Sequence, residues 1–183
     1  MIQYSCQPGI ERSRSAGFTL VELMIVVVLM GIISVTVIPA MDNLSSIREG
    51  AARDDIVRMI EVTKGRAVAS GMPHGLNIDL ANAEISIYEM TDEGDIEVEI
   101  DPLTNDERLL HVSSIYPGVT LSSFINGDGS FGSAVLWFDY ESNPHIRNSD
   151  GTFRSLNSEP AVITVSSGEQ ILVHHHSGMV EVR

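Results

Sequence analysis

Three hydrophobic patterns follow one another along the chain. Residues 18–41, FTLVELMIVVVLMGIISVTVIPAM, are almost continuously apolar, with Glu22 as the sole charge. As a helix, a run of this length crosses about 30 Å of hydrocarbon. From residue 42 to 70 the pattern becomes periodic. Leu44, Ile47, Ala52, Ile56, Met59, Ile60, Thr63 and Ala67 recur chiefly at intervals of three and four. Arg48, Glu49, Arg53, Asp54, Arg58 and Glu61 fall largely between them. This is the pattern of an amphipathic helix. Gly71-Met72-Pro73 ends it, since glycine takes the left-handed cap and proline cannot continue the helix. Pro39, inside the long helix, predicts a kink.

From His74 onward the period falls to two. Strands are predicted over 75–80, 83–90, 95–100, 109–115, 119–124, 134–140, 160–166, 169–176 and 178–182. Turn signals separate them: Asp92-Glu93-Gly94, Tyr116-Pro117-Gly118, Asn126-Gly127-Asp128-Gly129, Asn148-Ser149-Asp150-Gly151, Ser167-Gly168 and Ser177-Gly178. Short strands with tight turns give antiparallel sheets, and the amphipathic half-helix supplies the surface they pack on. The predicted fold class is α+β, a long N-terminal helix on antiparallel β-sheets. The organisation predicted is a leader over 1–17, an apolar helix over 18–41 and a domain over 42–183.

The leader is polar, with Arg12 and Arg14 near its end and the small residues Ser15-Ala16-Gly17 before the apolar run. A secretory signal has the opposite order, small residues after a shorter apolar stretch. Basic residues on the N-terminal flank keep that end in the cytoplasm. The expectation is a single-pass membrane protein with its N-terminus in the cytoplasm and the rest of the chain exported.

Charge narrows the partners. The 183-residue chain carries a formal net charge of −14, which repels nucleic acid and anionic lipid. Near the C-terminus Arg183 is the one basic residue, opposed by Glu181. The one cysteine, Cys6, rules out an internal disulfide and falls within the leader. The sequence contains no G-x-S-x-G, no H-E-x-x-H and no phosphate loop, so no enzymatic activity is predicted.

Three local features suggest ligands and have plainer readings beside them. His174 and His176 share one face of the predicted strand and are weak candidates for zinc or nickel; a polar strand face in a hairpin is the favoured reading. Asn126, Asp128 and Ser130 are spaced like part of a calcium loop but lack its carboxylates, which favours a simple turn. Asp92, Glu93, Asp95, Glu97, Glu99 and Asp101 alternate with Ile96, Val98 and Ile100, as in a strand with one solvated face. No metal and no cofactor is predicted.

Gly17-Phe18-Thr19-Leu20-Val21-Glu22, after a basic leader and before the apolar helix, closely resembles the signature of the type IV prepilin and type II secretion pseudopilin family. The resemblance implies cleavage between Gly17 and Phe18 by a prepilin peptidase and N-methylation of Phe18. It also implies that Glu22 pairs with the amino terminus of a neighbouring subunit as an inner-membrane platform assembles the fibre. The physics of Glu22 agrees, because a carboxylate within a membrane helix costs roughly 2.5–3.5 kcal/mol and calls for a partner.

Within that family the chain is most similar to the minor pseudopilin H group and its related minor pilins. Gly65-Arg66-Ala67-Val68-Ala69-Ser70-Gly71-Met72-Pro73 resembles the group's helix end. Trp137-Phe138-Asp139-Tyr140 before a polar turn and Ser177-Gly178-Met179-Val180 resemble two later elements. Tyr140 stands where the group has proline and Asn143 where it has glycine. The resemblance implies a minor pseudopilin of type II secretion with a pilin-like fold. The alternatives are a minor pilin of a type IV pilus, or a membrane-anchored periplasmic domain that binds a ligand or metal.

Overall fold

The computed structural model describes residues 18–91, 93–127, 134–156 and 159–183, with the backbone alone for 35–43 and 134. The leader with Gly17, and Asp128 and Ser130, lie outside the described residues. The chain divides into two compact units, Met1–Met41 and Asp42–Arg183.

One helix, α1 (Leu20–Ser70), runs through both halves of the pattern and through Pro39, whose side chain is outside the described residues. Among the described residues no helix is long and apolar enough to cross a membrane. The described side chains of the apolar half end at Ser34, short of the roughly 20 apolar residues a span requires.

In the second unit, Ala52, Ile56, Ile60, Thr63 and Ala67 form the stripe of α1 that is fully buried. Burying Ile56 and Ile60 stabilises the fold by about 1.5–3 kcal/mol each. The Thr63 hydroxyl donates to the Met59 carbonyl at 2.8 Å, so its burial leaves no orphan donor. Leu44 and Ile47 belong to the same sequence stripe yet remain 46% and 67% exposed. The periodicity continues along the helix past the point where the core begins.

The strands are β1 (His74–Asp79), β2 (Glu84–Met90), β3 (Ile96–Val98) and β4 (Leu109–His111). After a short helix, α2 (Val112–Ile115), come β5 (Leu121–Ile125), β6 (Ala134–Phe138), β7 (Pro144–Arg147) and β8 (Phe153–Ser155). The last three are β9 (Ala161–Val165), β10 (Gln170–Val173) and β11 (Val180–Val182). Among the described residues they form a large sheet, ordered β3-β2-β1-β6-β7-β8 with β4 also on β2, and a four-stranded sheet, ordered β11-β10-β9-β5. All pairings are antiparallel, as the short strands and tight turns predict. Leu76, Ile78, Ile85, Ile87, Leu136 and Phe138 from the large sheet join Phe124, Ile163, Val165, Ile171 and Val173 from the small one and the α1 stripe in one core.

Three expectations change. The strand over 109–115 stops at His111 and becomes helical, with the Val112 N–H donating to the Ala83 carbonyl and the Tyr116 N–H to that of Val112. The hairpin β7–β8 was not expected. It is short, begins on Pro144 and turns at the recognised Asn148–Gly151 signal, where the Gly151 N–H donates to the Asn148 carbonyl. The strand over 169–176 ends at Val173, so His174 and His176 share no strand face.

Candidate functional site

The N-terminal motif occupies the first turn of α1. The Thr19 carbonyl accepts the first helical bond from the Leu23 N–H, which makes Thr19 the cap. Its backbone N–H donates to Glu22 Oε2 at 2.8 Å and its hydroxyl donates to the same oxygen at 3.0 Å. The Glu22 N–H reaches back to the Thr19 hydroxyl oxygen at 3.2 Å. This is a reciprocal capping box, and the carboxylate also faces the positive end of the helix dipole. Sequence reasoning missed it, although Thr-x-x-Glu before an apolar run is its signature. Glu22 Oε1 makes no hydrogen bond among the described residues.

The large apolar side chains from Phe18 to Ile33 are 44–86% exposed, on every face of the helix. Phe18 itself is 86% exposed and directly precedes the cap. The arrangement presents a residue-18 backbone, a capped carboxylate one turn further on and an apolar shaft whose large side chains stay exposed among the described residues.

In the second unit the three segments that resemble the minor pseudopilin H group come together. Gly71 caps α1 with φ 72°, its N–H donating to the Ala67 carbonyl at 3.0 Å. The turn after β6 is organised by Asp139, whose Oδ1 accepts from the N–H groups of Glu141 at 2.9 Å and Asn143 at 2.8 Å. The left-handed residue is Ser142, with φ 66°, which leaves Asn143 free of that demand. The Ser142 carbonyl packs so closely on Gly178 that a Cβ there would collide with it and would also lie 3.4 Å from Lys64 Cε. One contact thus ties α1, the large sheet's turn and the C-terminal hairpin together.

Elsewhere in the second unit lies a buried ion cluster. Glu99 is 4% exposed, with Oε1 3.0 Å from Arg66 Nε and 3.2 Å from Arg108 Nε. Arg108 Nη2 also meets Asp101 Oδ2 at 3.0 Å. The Asp101 carboxyl is held below its ordinary value, first by the Leu103 backbone N–H and also by Arg108. The reading of the acidic run as a solvated face therefore fails at Glu99. A single-strand alternation carries no trace of two arginines arriving from α1 and from residue 108. The cluster fixes the stem of a hairpin over 99–108, closed by the Asp101 N–H donating to the Asp106 carbonyl at 2.8 Å. At its tip Leu103 is 93% exposed.

The histidines separate. His174 Nε2 lies 3.0 Å from Glu181 Oε2, and Arg183 Nε donates to Glu181 Oε1 at 2.8 Å. These partners hold the Glu181 carboxyl below its ordinary value, Arg183 first and His174 second. The His176 ring meets that of His175 instead, with centroids 4.0 Å apart and planes tilted by 52°. Among the described residues no group of three or more His, Cys, Asp or Glu side chains could hold a metal ion.

The family model for the prokaryotic N-terminal methylation motif matches residues 12–38. No curated protein matches the chain. Solved structures do. One, a crystal structure of the minor pseudopilin EpsH from the type II secretion system of Vibrio cholerae, aligns with a TM-score of 0.50 at 12% identity, over 73% of this chain and 93% of that one. Another structure of EpsH from Vibrio cholerae aligns with a TM-score of 0.49 at 12% identity, over 74% and 94%. The chain carries the methylation motif and shares the fold of the first of these structures, a long helix on antiparallel sheets.

Proposed function

We propose that this chain is a minor pseudopilin of a type II protein secretion system. It is cleaved between Gly17 and Phe18 by a prepilin peptidase, and methylated on the new amino terminus of Phe18. Residues 18–41 anchor it in the inner membrane, with 42–183 in the periplasm. From there an assembly platform adds it to other pseudopilins in a periplasmic pseudopilus. Its role is structural and not catalytic.

The observation that carries this reading is the methylation motif at the start of a helix whose apolar side chains are exposed all round. Lipid covers such a shaft before assembly and neighbouring helices cover it afterwards. Both fates suit α1, because a helix satisfies its own backbone hydrogen bonds in hydrocarbon. Glu22 supplies the register. Thr19 occupies Oε2, while Oε1 is available to the amine that cleavage creates on a neighbouring subunit. A charge pair there offsets the cost of a carboxylate in an apolar setting. Pro39 lacks an N–H to donate and eases a bend between the anchored and amphipathic halves.

The test is the intact mass of the membrane-extracted protein, from cells with and without the prepilin peptidase. The expected product begins at Phe18 and carries one added methyl group only when the peptidase is present. An uncleaved chain, or a cut after residue 40, would overturn the proposal. Deletion of the gene should abolish secretion of type II cargo while leaving surface pili intact. Loss of pilus function with normal secretion would instead assign the subunit to a type IV pilus.

A further inference from the structure

The outer face of the large sheet, turned away from α1, holds a groove that assembly through the N-terminal helix does not use. Register places Tyr88, Gly75 and Trp137 side by side on β2, β1 and β6. Gly75 contributes no side chain, and a Cβ there would meet the Trp137 ring at 3.0 Å and Val135 Cγ1 at 2.5 Å. Val135 and Trp137 fill the space over Gly75, and beside them lies a cavity of about 360 Å³ lined by Tyr88, Ile96, Val135, Trp137, Ile146 and Arg147, among others. Phe153 braces the indole from the side, edge to face at 5.6 Å. The volume lies within the range of built ligand sites, and the floor is apolar.

The charged residue beside this floor is Arg147. Arg53, Arg58, Lys64, Arg66, Arg108 and Arg183 all have acidic partners. Arg147 has none among the described residues, in a chain with 25 acidic residues. Its one hydrogen bond there is a long one, from Nη2 to the Gly94 carbonyl at 3.5 Å, and its Nε is buried without a partner. The Tyr88 hydroxyl and the Trp137 indole N–H also make no hydrogen bond among the described residues. An unpaired guanidinium selects a carboxylate, which its planar fork binds through two parallel bonds. The apolar floor selects a neighbouring aliphatic side chain.

We propose that this groove docks an acidic extended segment of a partner protein, with a carboxylate on Arg147 and an apolar side chain against Tyr88, Val135 and Trp137. The complementarity is local, since a partner this acidic gains nothing from the net charge of the rest of the molecule. Only the exposed donors attract it.

The test uses the full-length chain in nonionic detergent and a short fluorescent peptide alternating aspartate with leucine, with its asparagine counterpart as control. The aspartate peptide should bind, more weakly as salt rises, and the control should bind roughly tenfold less tightly or worse. Arg147→Gln should lose roughly the same factor, Arg147→Lys less of it, and Tyr88→Phe a smaller amount. The emission of the sole tryptophan, Trp137, verifies that each variant is folded. No binding by the wild type, equal binding of both peptides, or undiminished binding by the folded Arg147→Gln variant would each overturn the proposal. So would full displacement of the peptide by equimolar acetate, which would mark a simple anion pocket.

Discussion

Arg108→Met should be among the most damaging single substitutions in the domain, and a second substitution should repair it. Glu99 is 4% exposed and its Oε1 lies 3.2 Å from Arg108 Nε. At an effective dielectric near 20, charges at that separation attract by about 5 kcal/mol. Desolvation of both ions cancels much of this, but removing one partner leaves the other's desolvation uncompensated. Breaking a buried pair in that way typically costs about 3–5 kcal/mol. Arg66 still touches Glu99 at 3.0 Å, but its side chain is 37% exposed, so water weakens its hold. The lower end, about 3 kcal/mol, is therefore expected. In Glu99→Met/Arg108→Met the buried charge disappears. Arg66 and Asp101, 37% and 26% exposed, can then turn to water. The double variant should lie within about 1 kcal/mol of wild type. Urea unfolding followed by Trp137 emission measures both. With a slope of about 2 kcal/mol per molar, the single variant's midpoint should fall by about 1.5 M and the double's should largely recover. A single variant that loses under about 1 kcal/mol, or a double no more stable than the single, would refute the reasoning.

Three further outcomes follow from the geometry. Gly178→Ala must adopt φ 59° with a side chain and push back the Ser142 carbonyl, so it should lower stability by about 2 kcal/mol or more, read as a fall in melting temperature of several degrees. Thr19→Ala removes the cap and should free the first turn of α1 by about 1 kcal/mol, seen as several-fold faster amide exchange at residues 20–23 with no change in the sheets. The Asp101 carboxyl is lowered from its ordinary 3.8 when folded. Its stabilising effect is thus complete above about pH 4 and lost as pH falls through the depressed value, so amide exchange at Leu103 should accelerate below pH 4 while that at Ile163 does not.

The long helix, its amphipathic stripe and most strands were legible because each depends on a local period. The stripe's start was not legible: Leu44 and Ile47 repeat correctly but extend past the core, and periodicity does not register where a partner surface ends. The β7–β8 hairpin was missed because its two strands are short and one begins with proline, leaving the turn signal without flanks to confirm it. At the N-terminal site the motif was plain and its capping role was not, since a carboxylate in an apolar helix reads first as a charge that needs a partner on another subunit. Glu99 and Arg147 show the converse. One acid is buried against arginines from α1 and from residue 108, and one cation lacks an acid; the local period carries neither fact.

The stem of the 99–108 hairpin delivers everything the core takes from that segment. Glu99 and Arg108 join the ion cluster, and the Asp101 N–H closes the stem on Asp106. Between them, Pro102 to Asn105 hold only their own turn, and Leu103 reaches into open solvent. Such a segment is a natural cassette. Its sequence can be exchanged, lengthened or replaced by an epitope while the anchoring residues keep the scaffold in place. Its chemistry can diverge between related chains at little cost to folding.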